Sequence, residues 1–347
     1  MMPKILPFFV CPLCKSGFSL EAEKEGAHVK EGKLHCKGCG RIFEISKGIP
    51  RLVIEEEVDD WQKQTSESFD FKWRLYPQFA LGGGSRKFHD EWFYKKYHWA
   101  PDDFKSFLFS KKLILDAGTG TGHDIAWFAG MTNGEVFGTD ISGCVDVAYK
   151  NTESLPNSHI IQADIMNLPF KEETFEFITS EGVLHHTPST RLALESLVRL
   201  LCNGGEIQFY VYRKKGPIRE FCDDYIRQYT TQLAPEKCWE ICESLTKLGK
   251  AFSELKSTVE IPDDIPLLQI KKGKYDLQRF VYYNFLKCFW NGTLTYEENV
   301  LTNFDWYHPK YAYRHTPEEV KTWLEKLGLK TIVFDAGESG ISVRAVK

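Results

Sequence analysis

No window of the 347-residue chain holds 18 uninterrupted apolar residues, so no membrane-spanning helix is expected. The apolar stretch from Ile5 to Val10 is broken by Pro7 and too short for a span or a secretory core, which points to a cytoplasmic protein. Ten cysteines are too few for a disulfide scaffold at this length. An excess of one charge is lacking too: 44 Lys and Arg against 48 Asp and Glu leave −4, which singles out no polyanionic or membrane partner. Internal repeats and low-complexity tracts are missing, and 42% hydrophobic with 27% charged residues excludes disorder. The length suggests about two domains, at roughly 150 residues each. What stands out is the aromatic content, 14% of the chain.

Four zones follow from the pattern. Residues 1–54 carry Cys11-Pro-Leu-Cys14 and Cys36-Lys-Gly-Cys39 and end at the acidic run from Glu55 to Asp60. Residues 55–111 read as a linker and irregular helical lead-in, rich in Trp, Phe and Tyr, with Gly82-Gly83-Gly84 too flexible for a helix or strand interior. From Lys112, short apolar strands alternate with helical or loop segments (Leu113–Leu115, Val136–Gly138, His159–Gln162, Phe175–Thr179, Glu206–Val211), which implies a parallel sheet over residues 112–212. Residues 213–315 interrupt it with aromatic, mainly helical sequence. The pattern resumes over 316–347: Thr316-Pro317-Glu318-Glu319 opens a helix and Gly328 ends it. The last strands, Lys330–Phe334 and Ser342–Val346, are close enough for an antiparallel hairpin. The expected fold is α/β, with a small β-rich module in front and a helical insertion.

Asp116-Ala117-Gly118-Thr119-Gly120-Thr121-Gly122 joins a buried strand to an apolar helix, so a ligand can approach the backbone at the strand's carboxyl end. Asp140, 20 residues beyond Gly120, is placed to accept hydrogen bonds from ribose hydroxyls, a need shared by NAD and S-adenosylmethionine. Three features separate the two. Asp116 would repel a pyrophosphate and attract an ammonium group. Asp164 and Ile165 follow the third strand, where an adenine amino group and ring would lie. The closing hairpin departs from a dinucleotide fold. With these motifs the sequence resembles the class I S-adenosylmethionine-dependent methyltransferases, over about residues 112–213 and 316–347. The resemblance implies a Rossmann-like sheet and S-adenosyl-L-methionine as cofactor. It assigns Asp116, Gly118 and Gly120 to the methionine-moiety loop, Asp140 to the ribose, Asp164 and Ile165 to the adenine, and Glu181 to the methyl-transfer mouth, with Ala117, Thr119, Gly122 and Ile141 as further cofactor-binding residues.

Paired Cys-x-x-Cys turns present four thiolates, Cys11, Cys14, Cys36 and Cys39, to one tetrahedral ion, so a structural Zn(2+) without an open position is expected. With the run from Leu34 to Pro50, residues 7–54 resemble the Trm112-like zinc domains, which partner or are fused to methyltransferases. The arrangement is also similar to rRNA guanine methyltransferases, whose module binds RNA. Nine Lys and Arg against five Asp and Glu give residues 1–54 only +4, a modest footprint for nucleic acid. The glycine loop is expected to belong to a core separate from this module.

Ser180 to Pro188 follow the fourth strand and include His185 and His186. One of these histidines could act as general base or orient the acceptor; by the Leu-His-His pattern His186 is the better candidate, with His185 and Glu181 as further catalytic candidates and packing under the loop as the alternative. Tyr210 and Tyr212 share one face at the end of the fifth strand. Neither an Asn-Pro-Pro-Tyr-like tetrapeptide nor a Pro-Cys nucleophile follows the fourth strand, which argues against amino-group clamping and covalent pyrimidine chemistry. The insertion holds 18 aromatics among 103 residues, with 16 Lys and Arg against 14 Asp and Glu. It reads as a lid over a small-molecule acceptor: a helix across Asp276–Trp290, and a cluster from Asp305 to Tyr311 lining the pocket. The resulting reading is a methyltransferase acting on a saccharide, lipid-linked or natural-product-like metabolite. The rivals are an RNA or translation-factor methyltransferase and a non-catalytic activating subunit; acceptor identity and oligomeric state stay open.

Overall fold

The computed structural model describes residues 1–22 and 28–347. Its N-terminal part is a four-stranded antiparallel sheet in sequence order: β1 (Phe18–Ala22), β2 (Gly32–Cys36), β3 (Ile42–Ser46) and β4 (Ile49–Pro50). The turns around β1 and β2 bring the four cysteines together. Three helices follow, α1 (Asp60–Leu75), α2 (Gly83–Tyr97) and α3 (Pro101–Phe109). Asp59 starts α1 by accepting from the Trp61 and Gln62 amides, Gly82 and Gly83 lie at the start of α2, and Pro101 opens α3.

The alternating segment gives β5 (Leu113–Ala117), α4 (His123–Ala129), β6 (Glu135–Asp140), α5 (Val145–Thr152), β7 (Ser158–Gln162), β8 (Phe175–Glu181), α6 (Thr190–Leu200) and β9 (Leu201–Tyr212). The insertion contributes α7 (Pro217–Thr230), α8 (Pro235–Glu254), a hairpin of β10 (Thr258–Ile261) and β11 (Gly273–Asp276), α9 (Leu277–Asn284) and α10 (Tyr296–Tyr307). The chain then returns through α11 (Pro317–Lys326), β12 (Lys330–Ala336) and β13 (Gly340–Val346). Thr316 and Glu319 form the expected capping box on α11. The large sheet runs β12-β13-β9-β8-β5-β6-β7. Its neighbours from β9 to β7 pair in parallel, and β13 is antiparallel to both β9 and β12. This is the expected Rossmann-like sheet with its closing hairpin. The chain runs outward from β5 through β6 to β7 and then crosses back to place β8 on the other side of β5, so a crevice opens at the carboxyl end of β5. Among the described residues no helix is long and apolar enough to cross a membrane.

Three expectations need correction. First, the N-terminal sheet does not have a core of its own. It covers the β7 edge: the Leu52 amide donates to the Gln162 carbonyl at 2.7 Å, and the Val10 amide to the Pro169 carbonyl at 3.0 Å. Ile5, Phe9, Leu34, Ile45 and Leu52 join Phe137, Ile161 and Phe170 in one continuous apolar cluster. Second, the aromatic lead-in is more than a linker. Phe93, Tyr97, Phe104 and Leu108 pack with Phe128 and Phe177 on one face of the sheet. Third, the helix expected across Asp276–Trp290 stops at Asn284. Beyond it, α10 side chains replace helical hydrogen bonds: Asn303 accepts from the Phe289 amide and donates to its carbonyl, while Asn299 accepts from the Asn291 amide. The apolar spacing that suggested a longer helix instead reflects burial against the insertion.

Candidate active site

The turn after β5 is built on glycines that a side chain would obstruct. Gly118, Gly120 and Gly122 have φ of +93°, +51° and +80°, a region that favours glycine. The Gly118 and Thr119 amides donate to the Thr139 carbonyl at 2.7 and 2.9 Å, tying the loop to β6. Above it lies a cavity of about 550 Å³, reaching from this loop to the insertion.

Of the residues expected at a cofactor, Gly118, Thr119, Gly120, Asp140, Ile141, Asp164, Ile165 and Glu181 line that cavity; Asp116, Ala117 and Gly122 lie behind it. Asp140 Oδ1 accepts from the Ser142 amide and hydroxyl at 2.9 and 2.8 Å, and Oδ2 from the Gly120 amide at 3.2 Å. Asp164 Oδ1 caps the following turn through the Met166 amide, and Oδ2 accepts from Gln62 Nε2 at 2.8 Å. Burial pushes the Asp116 carboxyl well above the usual carboxylate range, with Asp124 beside it adding to the effect. Asp124 opens α4 on the cavity wall; its Oδ1 and the Nε2 of His123 lie 3.4 Å apart and are buried with no hydrogen-bond partner among the described residues. An orphaned carboxylate oxygen beside the glycine loop suits an ammonium group. The wall therefore fits S-adenosylmethionine: acidic acceptors for ribose and ammonium, a small-residue loop, and Ile165 for the ring.

Glu181 ends β8 and is held on both sides: Lys96 Nζ and Tyr97 Oη of α2 donate to its two carboxylate oxygens. Lys96 also lies over the Trp92 ring, 3.3 Å from its centroid. Lys72 of α1, buried, pairs with Asp305 of α10 at 2.6 Å. Gln62, Trp73 and Trp92 line the cavity as well. None of these helix residues is named by a local motif; lysines interleaved with aromatic residues are the one sequence signal that marks them.

The two histidines part company. His186 lines the cavity, and its Nδ1–H donates to the Tyr311 carbonyl at 2.6 Å, leaving Nε2 without a hydrogen-bond partner among the described residues. Burial pushes its pKa down to about 3, so the ring is neutral at physiological pH. His185 does not line the cavity; it stacks against Tyr212 at 3.7 Å between centroids, and both its ring nitrogens are buried without hydrogen-bond partners among the described residues. His185→Phe should therefore raise stability by about 1–3 kcal/mol near pH 8, since two unmet hydrogen-bonding groups disappear. Burial holds the His185 pKa well below its ordinary 6.5. The wild type thus loses stability as pH falls below about 6.5, by up to about 1.4 kcal/mol per pH unit for this one group, and the variant is spared that loss. Urea unfolding at pH 8, 6 and 5 checks this; parallel pH dependence in the two proteins would contradict it.

Of the cluster from Asp305 to Tyr311, only Asp305 and Trp306 face the cavity. The others fasten the insertion: His308 Nδ1 meets the Ser68 hydroxyl at 2.7 Å, Tyr311 Oη donates to Asp59, and Arg227 donates to the Trp306, Pro309 and Lys310 carbonyls.

At the other end of the molecule, the sulfurs of Cys11, Cys14, Cys36 and Cys39 all lie within 4.8 Å of one another. Four convergent thiols without a further ligand fit a closed tetrahedral Zn(2+) site.

Residues 115–209 match a family described as Methyltransferase domain, and residues 3–48 one described as Trm112p-like protein. A demethylmenaquinone methyltransferase of Staphylococcus haemolyticus is 36% identical over 76 residues, 22% of this chain and 32% of that protein. A probable tRNA methyltransferase 9B of Mus musculus is 31% identical over 114 residues, 31% of this chain and 24% of that one. The chain thus spans about a third or less of the length of these curated relatives. Among solved structures, a magnesium protoporphyrin IX methyltransferase from Synechocystis, with bound S-adenosylhomocysteine, is 14% identical, covering 82% of this chain and 97% of that one with a TM-score of 0.43. Between them, the two family matches and the geometry of the glycine loop and cysteine cluster place a methyltransferase domain and a Trm112p-like module in one chain.

Proposed function

We propose that the protein is an S-adenosylmethionine-dependent methyltransferase of the cytoplasm, acting on a small metabolite of the saccharide, lipid-linked or natural-product class. The observation that carries this reading is one cavity whose walls change character: Gly118, Asp140 and Asp164 at one end, Tyr282 and Trp306 of the insertion at the other. When bound, the cofactor supplies an electrophilic sulfonium methyl. Asp140 accepts from the ribose hydroxyls, and Asp164, already steadied by Gln62, accepts from the adenine amino group beside Ile165. Asp124 takes the ammonium. The Lys96–Glu181–Tyr97 cluster is fully paired, so it shapes the mouth between the two ends and does not move a proton. His186 offers Nε2 as a neutral acceptor for the hydrogen of an incoming hydroxyl or amine. Rate enhancement then comes chiefly from alignment and exclusion of water in the enclosed cavity.

The test uses methyl-labelled S-adenosylmethionine, the full chain, and either a metabolite extract or total RNA and protein. Label is expected in a small molecule. Label confined to RNA or protein would favour a macromolecular methyltransferase, and no transfer with intact cofactor binding would favour an activating subunit. With the acceptor in hand, His186→Ala should lower kcat/KM about 10- to 100-fold, the worth of a hydrogen bond in a buried site, without introducing or removing an inflection between pH 6 and 9. An inflection near pH 6.5 lost in the variant would restore the general-base role.

A further inference from the structure

The cations around the cavity fall into two sets. Lys72 and Lys96 are satisfied by Asp305 and Glu181. At the insertion end Arg219 alone of four cations has an ion pair among the described residues. Lys287, only 4% exposed, has no carboxylate within ion-pair distance among the described residues, and its Nζ lies 4.7 Å from the Trp306 ring centroid. The Arg279 guanidinium packs on Tyr282 and Phe289, at 5.9 and 5.7 Å, again with no ion pair among the described residues. Lys215 Nζ donates to the Glu338 and Ser339 backbone carbonyls and lies 5.7 Å from the Tyr283 ring centroid, with no ion pair among the described residues. Arg219, 1% exposed, is paired with Asp223, whose second oxygen is taken by Tyr307 Oη at 2.9 Å. All four cations line the cavity, and the two carboxylates whose charge reaches Lys287 are already engaged, Asp223 by Arg219 and Tyr307 and Asp305 by Lys72.

We propose that this corner is an anion-binding subsite, and that the methyl acceptor carries a carboxylate or phosphate on an apolar or aromatic body. The inference rests on the methyltransferase reading for the word acceptor, but the subsite itself does not. Buried cations without a counter-charge are costly, and an anionic ligand supplies what the protein withholds. Burial pushes Lys215 and Lys287 down to about 7, which fits groups that lack a partner until a ligand arrives. Arginine and lysine together suit carboxylate and phosphate oxygens. The walls between this corner and the glycine loop, Tyr210, Tyr212 and Tyr282, suit a flat apolar body spanning the two. The anion would thus anchor the acceptor at one end and leave its reactive atom beside His186 and Glu181.

Calorimetric titration of the full chain with phenyl phosphate, benzoate and uncharged benzyl alcohol tests this without knowledge of the acceptor. At least one anion is expected to bind about 10-fold or more tightly than the alcohol, and Lys287→Met and Arg279→Gln should each weaken it about 10- to 100-fold, as for a charged hydrogen bond. Affinity for S-adenosylmethionine should stay at the wild-type value in both variants, which also shows that they fold. Preference for phenyl phosphate identifies a phosphate, preference for benzoate a carboxylate. Equal binding of all three probes, no binding of either anion, or undiminished anion binding in both variants would overturn the subsite. Failure of the wild type to bind S-adenosylmethionine would instead overturn the methyltransferase reading and leave the anion result standing.

Discussion

Gly118→Val should abolish measurable binding of S-adenosylmethionine. A Cβ at residue 118 would sit 2.2 Å from Cγ2 and 2.6 Å from Cγ1 of Val183, and the backbone φ of +93° is one a β-branched residue does not adopt without strain. Strain of about 1–3 kcal/mol adds to the overlap, so the loop must move off the position that the cofactor needs. Asp140→Ala is the gentler companion. It removes the acceptor held by the Gly120 and Ser142 amides, and should weaken binding by about 1.5–3 kcal/mol, or about 10- to 150-fold. Calorimetry on both variants checks the pair. Wild-type affinity in both would remove the glycine loop and Asp140 from the cofactor site.

Loss of the metal should reach much further than the residues that hold it. Apparent binding energies for structural zinc are about 10–16 kcal/mol, more than a small sheet can replace by its own packing. Because the N-terminal sheet and the β6–β7 side of the large sheet share one apolar cluster, Cys36→Ser or chelation should lower the thermal transition of the whole chain. Arg51 strengthens the coupling: it donates to Asp146 of α5 at 2.7 Å and to Gln162 of β7 at 3.1 Å. Cofactor affinity should fall together with metal content, since β6 and β7 lead directly into Asp140 and Asp164. One metal equivalent in the wild type, none in Cys36→Ser, and a single shifted melting transition are expected. A separate early transition with cofactor affinity untouched would show that the shared core does not couple the two sheets.

Which parts of this structure were legible in the sequence follows from how local their causes are. Glycines with positive φ, a capping box and Cys-x-x-Cys turns are set by neighbouring residues, so the loop after β5, α11 and the cysteine cluster could be placed from the chain alone. The β9 start at Leu201 was harder: it was expected at Glu206, but the irregular register between Phe175 and Phe177 admits Gly204 and Gly205 into the strand. Contacts made across long separations left no local trace. Gln62 reaches Asp164 and Lys96 reaches Glu181 only after the sheet has formed, so residues 55–111 looked like a connection and proved to be a wall of the site. The histidine pair shows the same limit in electrostatics. Adjacent in sequence, His185 and His186 differ because one is sealed behind Tyr212 and the other faces the cavity, and burial moves both away from the near-neutral range.

The central claim is that the cavity above the glycine loop holds S-adenosylmethionine and not a dinucleotide. The most direct measurement is parallel calorimetric titration of the full, metal-loaded chain with S-adenosylmethionine and with NAD. One equivalent of S-adenosylmethionine is expected to bind, lost in Gly118→Val, with no heat from NAD; binding of NAD with none of S-adenosylmethionine would contradict the account.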